Sequence, residues 1–311
     1  MQPDPAPRAR RCATAVGLAT VLGACASSTP APERSFGLVG DATPFLPGVV
    51  SSAYSEIRAS VSPDGCCVLW GSTDRPGGAG GWDIWVSRRT QDGWSAPAAV
   101  AFDTRDNEFD PAFSADGHTV YFFSNRPGGL GGDDLWQVAF DPATGAFGEA
   151  RNLGAALNSA GDEWAPTPSA DGSVLLFASD GRGGAGRHDL FTSRWRDGAW
   201  QPAEPLMGEV NGAGDDFDAA FIDGGRVLVF ARSPDVDEQP IALWAATRVD
   251  GRYVDARALD ARVNVEGGWI LAPAQDPTRP GVLLFSGRRE GGPGAADIHQ
   301  IRFNPAAPGD P

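Results

Sequence analysis

The chain repeats itself. Glu56, Glu108, Glu163, Asp216 and Trp269 each open a segment of one design, at steps of 52 to 55 residues. A unit recurring at such a period is one supersecondary element that cannot bury its apolar face alone, so neighbouring units must stack. Each unit contains four strand-like runs. The first leads into an Asp-Gly turn (Asp64-Gly65, Asp116-Gly117, Asp171-Gly172) and the second is an apolar run such as "VLLF". A glycine-rich loop precedes the third, "DIWVSRR", "DLWQVAF", "DLFTSRW" or "DIHQIRF". A turn such as Asp92-Gly93, Asp197-Gly198 or Asp250-Gly251 then leads to the fourth, as in "WSAPAAV". Four short antiparallel strands at this period make a propeller blade.

The ends of the repeat predict how the ring closes. The fifth unit stops after its third run, whereas the stretch before the first unit, "ATPFLPGVVSSAYSE", has the pattern of a fourth strand. An N-terminal strand completing the last blade would pair both open edges. The predicted fold is therefore all-β, a five-bladed propeller over residues 40–304, followed by a disordered tail over 305–311. A six-bladed ring would need about 50 residues more, and it remains the alternative together with an irregular arrangement. The 41 glycines, 16 phenylalanines and 10 tryptophans agree with many turns and aromatic-rich strands.

The glycine loops align as Gly77-Gly78-x-Gly80-x-x-Asp83, with counterparts ending at Asp134, Asp189 and Asp297. A copy near residue 237 has decayed to "SPDVDEQP". A carboxylate at that place can accept backbone N–H bonds within its own loop, so the loops are expected to be scaffold. Calcium is not expected there, because one aspartate per loop is far short of the six or more oxygens calcium takes. No metal and no cofactor is predicted.

The motifs "SPDG", "S-x-R-x-GG-x-G-x-x-D-[IL]-W" and "DG-x-W-x-x-P" resemble the TolB-type, WD-repeat-like propeller family of bacterial envelope proteins. The resemblance implies the fold and an envelope setting. It does not imply TolB's own role, because TolB has six blades and a helical N-terminal domain, and neither is evident in this sequence.

Residues 1–24 have a basic start (Arg8, Arg10, Arg11) and a short apolar run, the pattern of an export signal. The run ends in Leu22-Gly23-Ala24-Cys25, which resembles a lipobox. That resemblance implies lipidation of Cys25, a flexible tether over 25–39 and a destination at the outer membrane. The net charge of −15 excludes nucleic acid as a partner, and loss of the leader would make the chain more acidic still. The remaining cysteines, Cys66 and Cys67, are adjacent in a strand pattern and are expected to be buried, unpaired residues.

Blade starts should ring the mouth of the central channel. The candidate ligand-binding residues are therefore Glu56, Glu108, Glu163, Asp216, Asp218 and Trp269, five carboxylates and an indole suited to a cationic or polyhydroxylated ligand. The competing expectation is that each carboxylate caps the backbone of its own connection. The leading functional reading is a non-catalytic binding module for an envelope protein, a basic peptide or a cell-wall glycan, with no catalytic residue. The alternative is a carbohydrate-active enzyme, a glycoside hydrolase using carboxylates across the funnel. His118, His188 and His299 fall at different phases of the repeat, and His188 is expected to be an exposed loop residue. Trp85, Trp136 and Trp244 recur in phase and are expected to pack blades.

Overall fold

A computed structural model describes Met1, Gln2, 36–238 and 240–304. Cys25, the rest of the leader and the C-terminal tail lie outside the described residues. Among the described residues no helix is long and apolar enough to cross a membrane.

The chain forms five antiparallel sheets, one per repeat. Blade 1 comprises Ser55–Val61, Cys67–Thr73, Trp82–Thr90 and a broken fourth strand, Gly93–Trp94 with Ala98–Ala99. Blade 2 comprises Glu108–Phe113, Thr119–Ser124, Asp134–Asp141 and Ala146–Phe147 with Arg151–Asn152. Blade 3 comprises Glu163–Pro168, Val174–Ser179, Asp189–Arg196 and Ala199–Trp200 with Glu204–Pro205. Blade 4 has four unbroken strands, Asp215–Ile222, Val227–Ser233, Ala242–Val249 and Arg252–Ala258. The break in blades 1 and 3 coincides with Pro97 and Pro202, which have no N–H for the ladder; blade 4 has no proline there.

Blade 5 comprises Ile270–Gln275, Val282–Gly287 and Asp297–Phe303, and Leu38–Pro44 from the N-terminal side adds its outer strand. Leu38 pairs with Phe303 and Thr43 with Gln300. The ring is thus closed as the ends of the repeat predict. The closing strand begins two residues before the expected boundary at residue 40, at Leu38.

The core repeats with the blades. Trp70, Phe122, Phe177, Phe230 and Phe285 hold equivalent places in the second strands, and all are buried. Ile84, Leu135, Leu190, Leu243 and Ile298 do the same in the third. Trp85 and Trp136 are buried in blade packing, and Trp244 is half-buried against the core. Cys67 is buried, but Cys66 is exposed, a correction to the expectation for the pair. Cys66 still belongs to the Asp-Gly turn, where its N–H donates to Asp64 Oδ1 at 2.9 Å.

The glycine loops are scaffold. Asp83 Oδ1 accepts from Ala79 N at 2.9 Å and Gly80 N at 3.0 Å, and Asp134 accepts from Leu130 N and Gly131 N. The aspartate in turn dictates the glycine. A Cβ on Gly129 would sit 1.8 Å from Asp134 Oδ2. We therefore expect Gly129→Ala to displace the Asp134 cap and destabilise the protein by about 1–3 kcal/mol, the range for a buried acceptor losing its partners. Urea unfolding checks this, and an unchanged midpoint would show that the cap does not fix the glycine.

Candidate functional site: the loop face and the central channel

Glycine loops and inter-blade connections share one face of the ring, and the Asp-Gly turns lie on the other. Two polar devices recur at the connections, the second at four of the five. The first spans the third strand of the preceding blade. Asn158 accepts from Leu135 N at 2.8 Å and donates to Leu135 O at 3.0 Å. Asn211 grips Leu190 in the same way, and Asn264 grips Leu243. Ser51 reaches Ile298 O at 2.7 Å. Asp103 accepts from Ile84 N at 3.1 Å, but its Oδ2 is buried without a partner. Burial first, then the charges of Glu108 and Asp83, raise its pKa to about 8 against a backbone hydrogen bond that lowers it.

The second device is the blade-start carboxylate. Glu108 accepts from Thr104 N at 2.9 Å, Thr104 Oγ1 at 2.7 Å and Ser124 Oγ at 3.1 Å, and pairs with Arg126 at 2.9 Å. Glu163 accepts from Ser159 N at 2.8 Å and Ser179 Oγ at 2.7 Å, and Glu56 accepts from Ser52 N at 3.1 Å. Asp216 accepts from Gly212 N and pairs with Arg232, both at 2.6 Å. All four carboxylates are 0% exposed. Burial raises Glu56 to about 7 despite its bonds to Ser52. These groups do not stand free around a mouth; they tie each connection to its blade, which is the capping role. The partner arginines lie over blade aromatics, Arg126 4.9 Å from Phe122 and Arg232 5.0 Å from Trp244.

Trp269 is not the fifth member of this set. In register the position belongs to Ile270, which is buried and faces Gly287 where Glu108 faces Ser124. A Cβ on Gly287 would lie 2.4 Å from Ile270 Cδ1, so blade 5 has exchanged the Glu–Ser pair for an Ile–Gly pair. Trp269 stands one residue earlier, half-buried beneath the Arg288 guanidinium at 5.1 Å.

The channel itself lies beyond the blade-start positions. Two residues after each blade start the inner strand has a bulge, and Arg58, Asp110, Ala165, Asp218 and Ala272 all take positive φ there, from 44° to 53°. A bulge re-aims a side chain. Asp110 and Asp218 come from blades that are not neighbours, yet their carboxyls are hydrogen-bonded to each other. Arg58 supplies the opposite charge and donates to Thr167 Oγ1, which donates to Ala219 O at 2.8 Å. Asp218 Oδ2 also accepts from Ala272 N at 3.1 Å. Five blades therefore meet in one polar cluster. Burial, then the charge of Asp218, holds Asp110 well above the usual carboxylate range, with Arg58 opposing. Burial likewise raises Asp218, with Arg58 again the main opposing charge.

On the turn side the channel opens into a cavity of about 230 Å³ that reaches Arg58 and Thr167 and is walled by Pro63, Phe113, Pro168 and Phe221. On the loop side Ile57, Phe217 and Leu271 are buried, with Phe109 and Trp164 half-buried beside them.

No family model and no curated protein sequence matches the chain. Among solved structures it is similar to a GH43_1 enzyme from Xanthomonas citri (TM-score 0.53, 14% identity, 86% of this chain and 93% of that one). A GH43 β-xylosidase/α-arabinofuranosidase from a compost metagenome gives a TM-score of 0.53 at 12% identity, covering 88% of this chain and 99% of that one. TolB from Acinetobacter baumannii gives 0.47 at 13% identity, covering 80% of this chain, which spans 54% of that one. At these identities the likeness is one of fold.

His188 corrects another expectation. It is 5% exposed, stacked on Trp164 with ring centroids 3.8 Å apart, and its Nδ1 lies 2.7 Å from Asp215 Oδ1. Trp164 donates from Nε1 to Asp133 Oδ2 at 2.9 Å.

Proposed function

We propose that the protein is a lipid-anchored propeller of the bacterial envelope that binds a protein, basic peptide or cell-wall glycan through its loop face, without catalysis. The observation that carries this reading is the state of the channel carboxylates. Hydrolysis by two carboxyl groups requires them roughly 5 to 9.5 Å apart with the scissile bond and, in one variant, a water between them. Asp110 and Asp218 instead bond to each other and are buried, 3% and 5% exposed. The blade-start carboxylates are spent on backbone and arginines. The groups left for a ligand are exposed acids of the connections and the blade 4 loop, such as Glu266, near half-buried Trp269, and Asp237, whose carboxylate is 85% exposed although 3.6 Å from the Arg187 guanidinium.

The test is binding of a basic peptide and a glycan panel to the purified protein, with Asp237→Asn/Glu266→Gln beside it. The expected result is salt-sensitive capture weakened several-fold in the variant, because exposed rim charges set steering and modest affinity, and no release of sugar from aryl xylosides or arabinofuranosides. Turnover abolished by Asp110→Asn or Asp218→Asn would replace this reading with the glycosidase.

A further inference from the structure

Asp162 and Asp180 occupy the places of Asn107 and Asn125 in the preceding blade, where Asn107 accepts from Trp82 N at 3.0 Å and Asn125 from Asn107 N at 2.9 Å, but here two carboxylates replace the two amides and His188 stands beside them. One oxygen of each carboxylate and one ring nitrogen of the imidazole lie within 4.8 Å of one another. Neighbouring ligands around a tetrahedral zinc with bonds of about 2.1 Å are roughly 3.4 Å apart, so a small closure would complete the site. Asp180 is exposed and can supply that movement.

The histidine is the decisive member. Its Nδ1 is taken by Asp215, which is 0% exposed and also accepts from His188 N at 3.1 Å and Val236 N at 2.8 Å. Asp215 is thereby fixed as an acceptor, so Nδ1 is the donor. In neutral imidazole that leaves the lone pair on Nε2. His188 Nε2 is buried and has no hydrogen-bond partner, although the ring is held by Asp215 on its edge and Trp164 on its face. A carboxylate that orients a histidine through Nδ1 and leaves Nε2 without a partner is the outer-shell arrangement of metal-binding histidines.

The carboxylates are oriented as well. Asp180 Oδ1 accepts from Asp162 N at 2.7 Å, and Asp162 Oδ1 accepts from Asp133 N at 2.8 Å, so each is anchored through one oxygen. The anchors come from the connection that enters blade 3 and from the glycine loop of blade 2, so an ion held here would tie the glycine loop of blade 3 to its own blade start.

We propose that His188, Asp162 and Asp180 form a binding site for a divalent transition metal of the zinc class on the loop face. One nitrogen and two carboxylate oxygens suit zinc better than calcium, which takes six to eight oxygens. Three protein ligands leave a further position open to water or to a ligand atom. The inference stands apart from the proposed binding partner, since the ion can bind whether or not a peptide or glycan does.

The test is calorimetric titration of the metal-stripped full-length protein with zinc chloride, with calcium chloride in a parallel run. Cobalt(II) absorption serves as the coordination readout. The expected result is one saturable zinc site, a raised Tm, a visible cobalt spectrum and no comparable calcium binding. Asp180→Asn, at an exposed position, should keep the fold by circular dichroism and weaken zinc at least tenfold. His188→Gln should also lose the cobalt spectrum. Unchanged zinc affinity in a folded Asp180→Asn variant would overturn the proposal, as would absence of saturable binding or preference for calcium.

Discussion

Replacing Arg58 with methionine is expected to lower stability at pH 7 by about 3–5 kcal/mol, the range for removing one partner of a buried ion pair. Arg58 is 2% exposed, and the carboxyls it faces are 3% and 5% exposed. Methionine fills much of the volume and leaves a buried negative charge with no counter-ion. The folded variant should respond by holding protons on the Asp110–Asp218 pair to higher pH. The sign follows from proton counting. A carboxyl whose folded pKa is raised binds more protons folded than unfolded, so stability falls as pH rises between its ordinary and its raised pKa. In the parent protein Arg58 opposes the rise of both carboxyls; in Arg58→Met that opposition is gone, so the variant should lose stability with pH more steeply. Adding Asp110→Asn and Asp218→Asn should restore most of the loss, because the cluster is then neutral without the arginine. Urea unfolding at several pH values measures all of this. A loss under about 1 kcal/mol for Arg58→Met would mean that the charge is compensated elsewhere.

The blades were legible in the sequence because each must solve the same local problem. An Asp-Gly turn, a buried second strand, an aspartate capping a glycine loop and a polar side chain in the connection recur as letters at a fixed spacing. Ring closure was legible for a related reason: one missing fourth strand at the C-terminus matches one extra strand at the N-terminus. The channel was not legible. Arg58, Asp110 and Asp218 all sit two residues after a blade start, where Ala165 and Ala272 show that the scaffold needs no charge. That break in the repeat was available to a reader of the sequence. What spacing along the chain cannot give is that blades 1, 2 and 4 bring those charges together across the axis. His188 was misjudged for the same reason, since Trp164 and Asp215, which bury it, belong to the blade starts on either side. The misplacement of Trp269 has a different cause: blade 5 keeps the volume of the Glu–Ser pair by substituting Ile270 and Gly287 together, so neither residue resembles its counterpart alone.

The same logic identifies Asp103 as a residue whose replacement should strengthen the protein. At three of the other four connections an asparagine both accepts from and donates to the backbone of one third-strand residue, and at the remaining one Ser51 donates to it. An ionised Asp103 can only accept, which is why its Oδ2 is left buried and unpaired. With burial lifting its pKa to about 8, the folded protein keeps a proton there that the unfolded chain releases from about pH 4 upward. Folding therefore takes up a proton between those values, and stability declines across that window as pH rises. Each unit of the window is worth up to about 1.4 kcal/mol. Asp103→Asn removes the titration and supplies the missing donor to Ile84, so a gain of roughly 2–4 kcal/mol is expected at pH 8. At pH 4, where Asp103 is largely protonated in both states, the gain should shrink to about 1 kcal/mol, the worth of one better hydrogen bond. Other carboxyls titrate over the same range, so the difference between the two proteins, and not either curve alone, is the quantity to read. A gain independent of pH would assign the effect to the amide donor, and no gain at pH 8 would mean that the Asp103 carboxylate already has a partner there, a bound cation among Asp83, Asp103 and Glu108 being the arrangement their spacing allows.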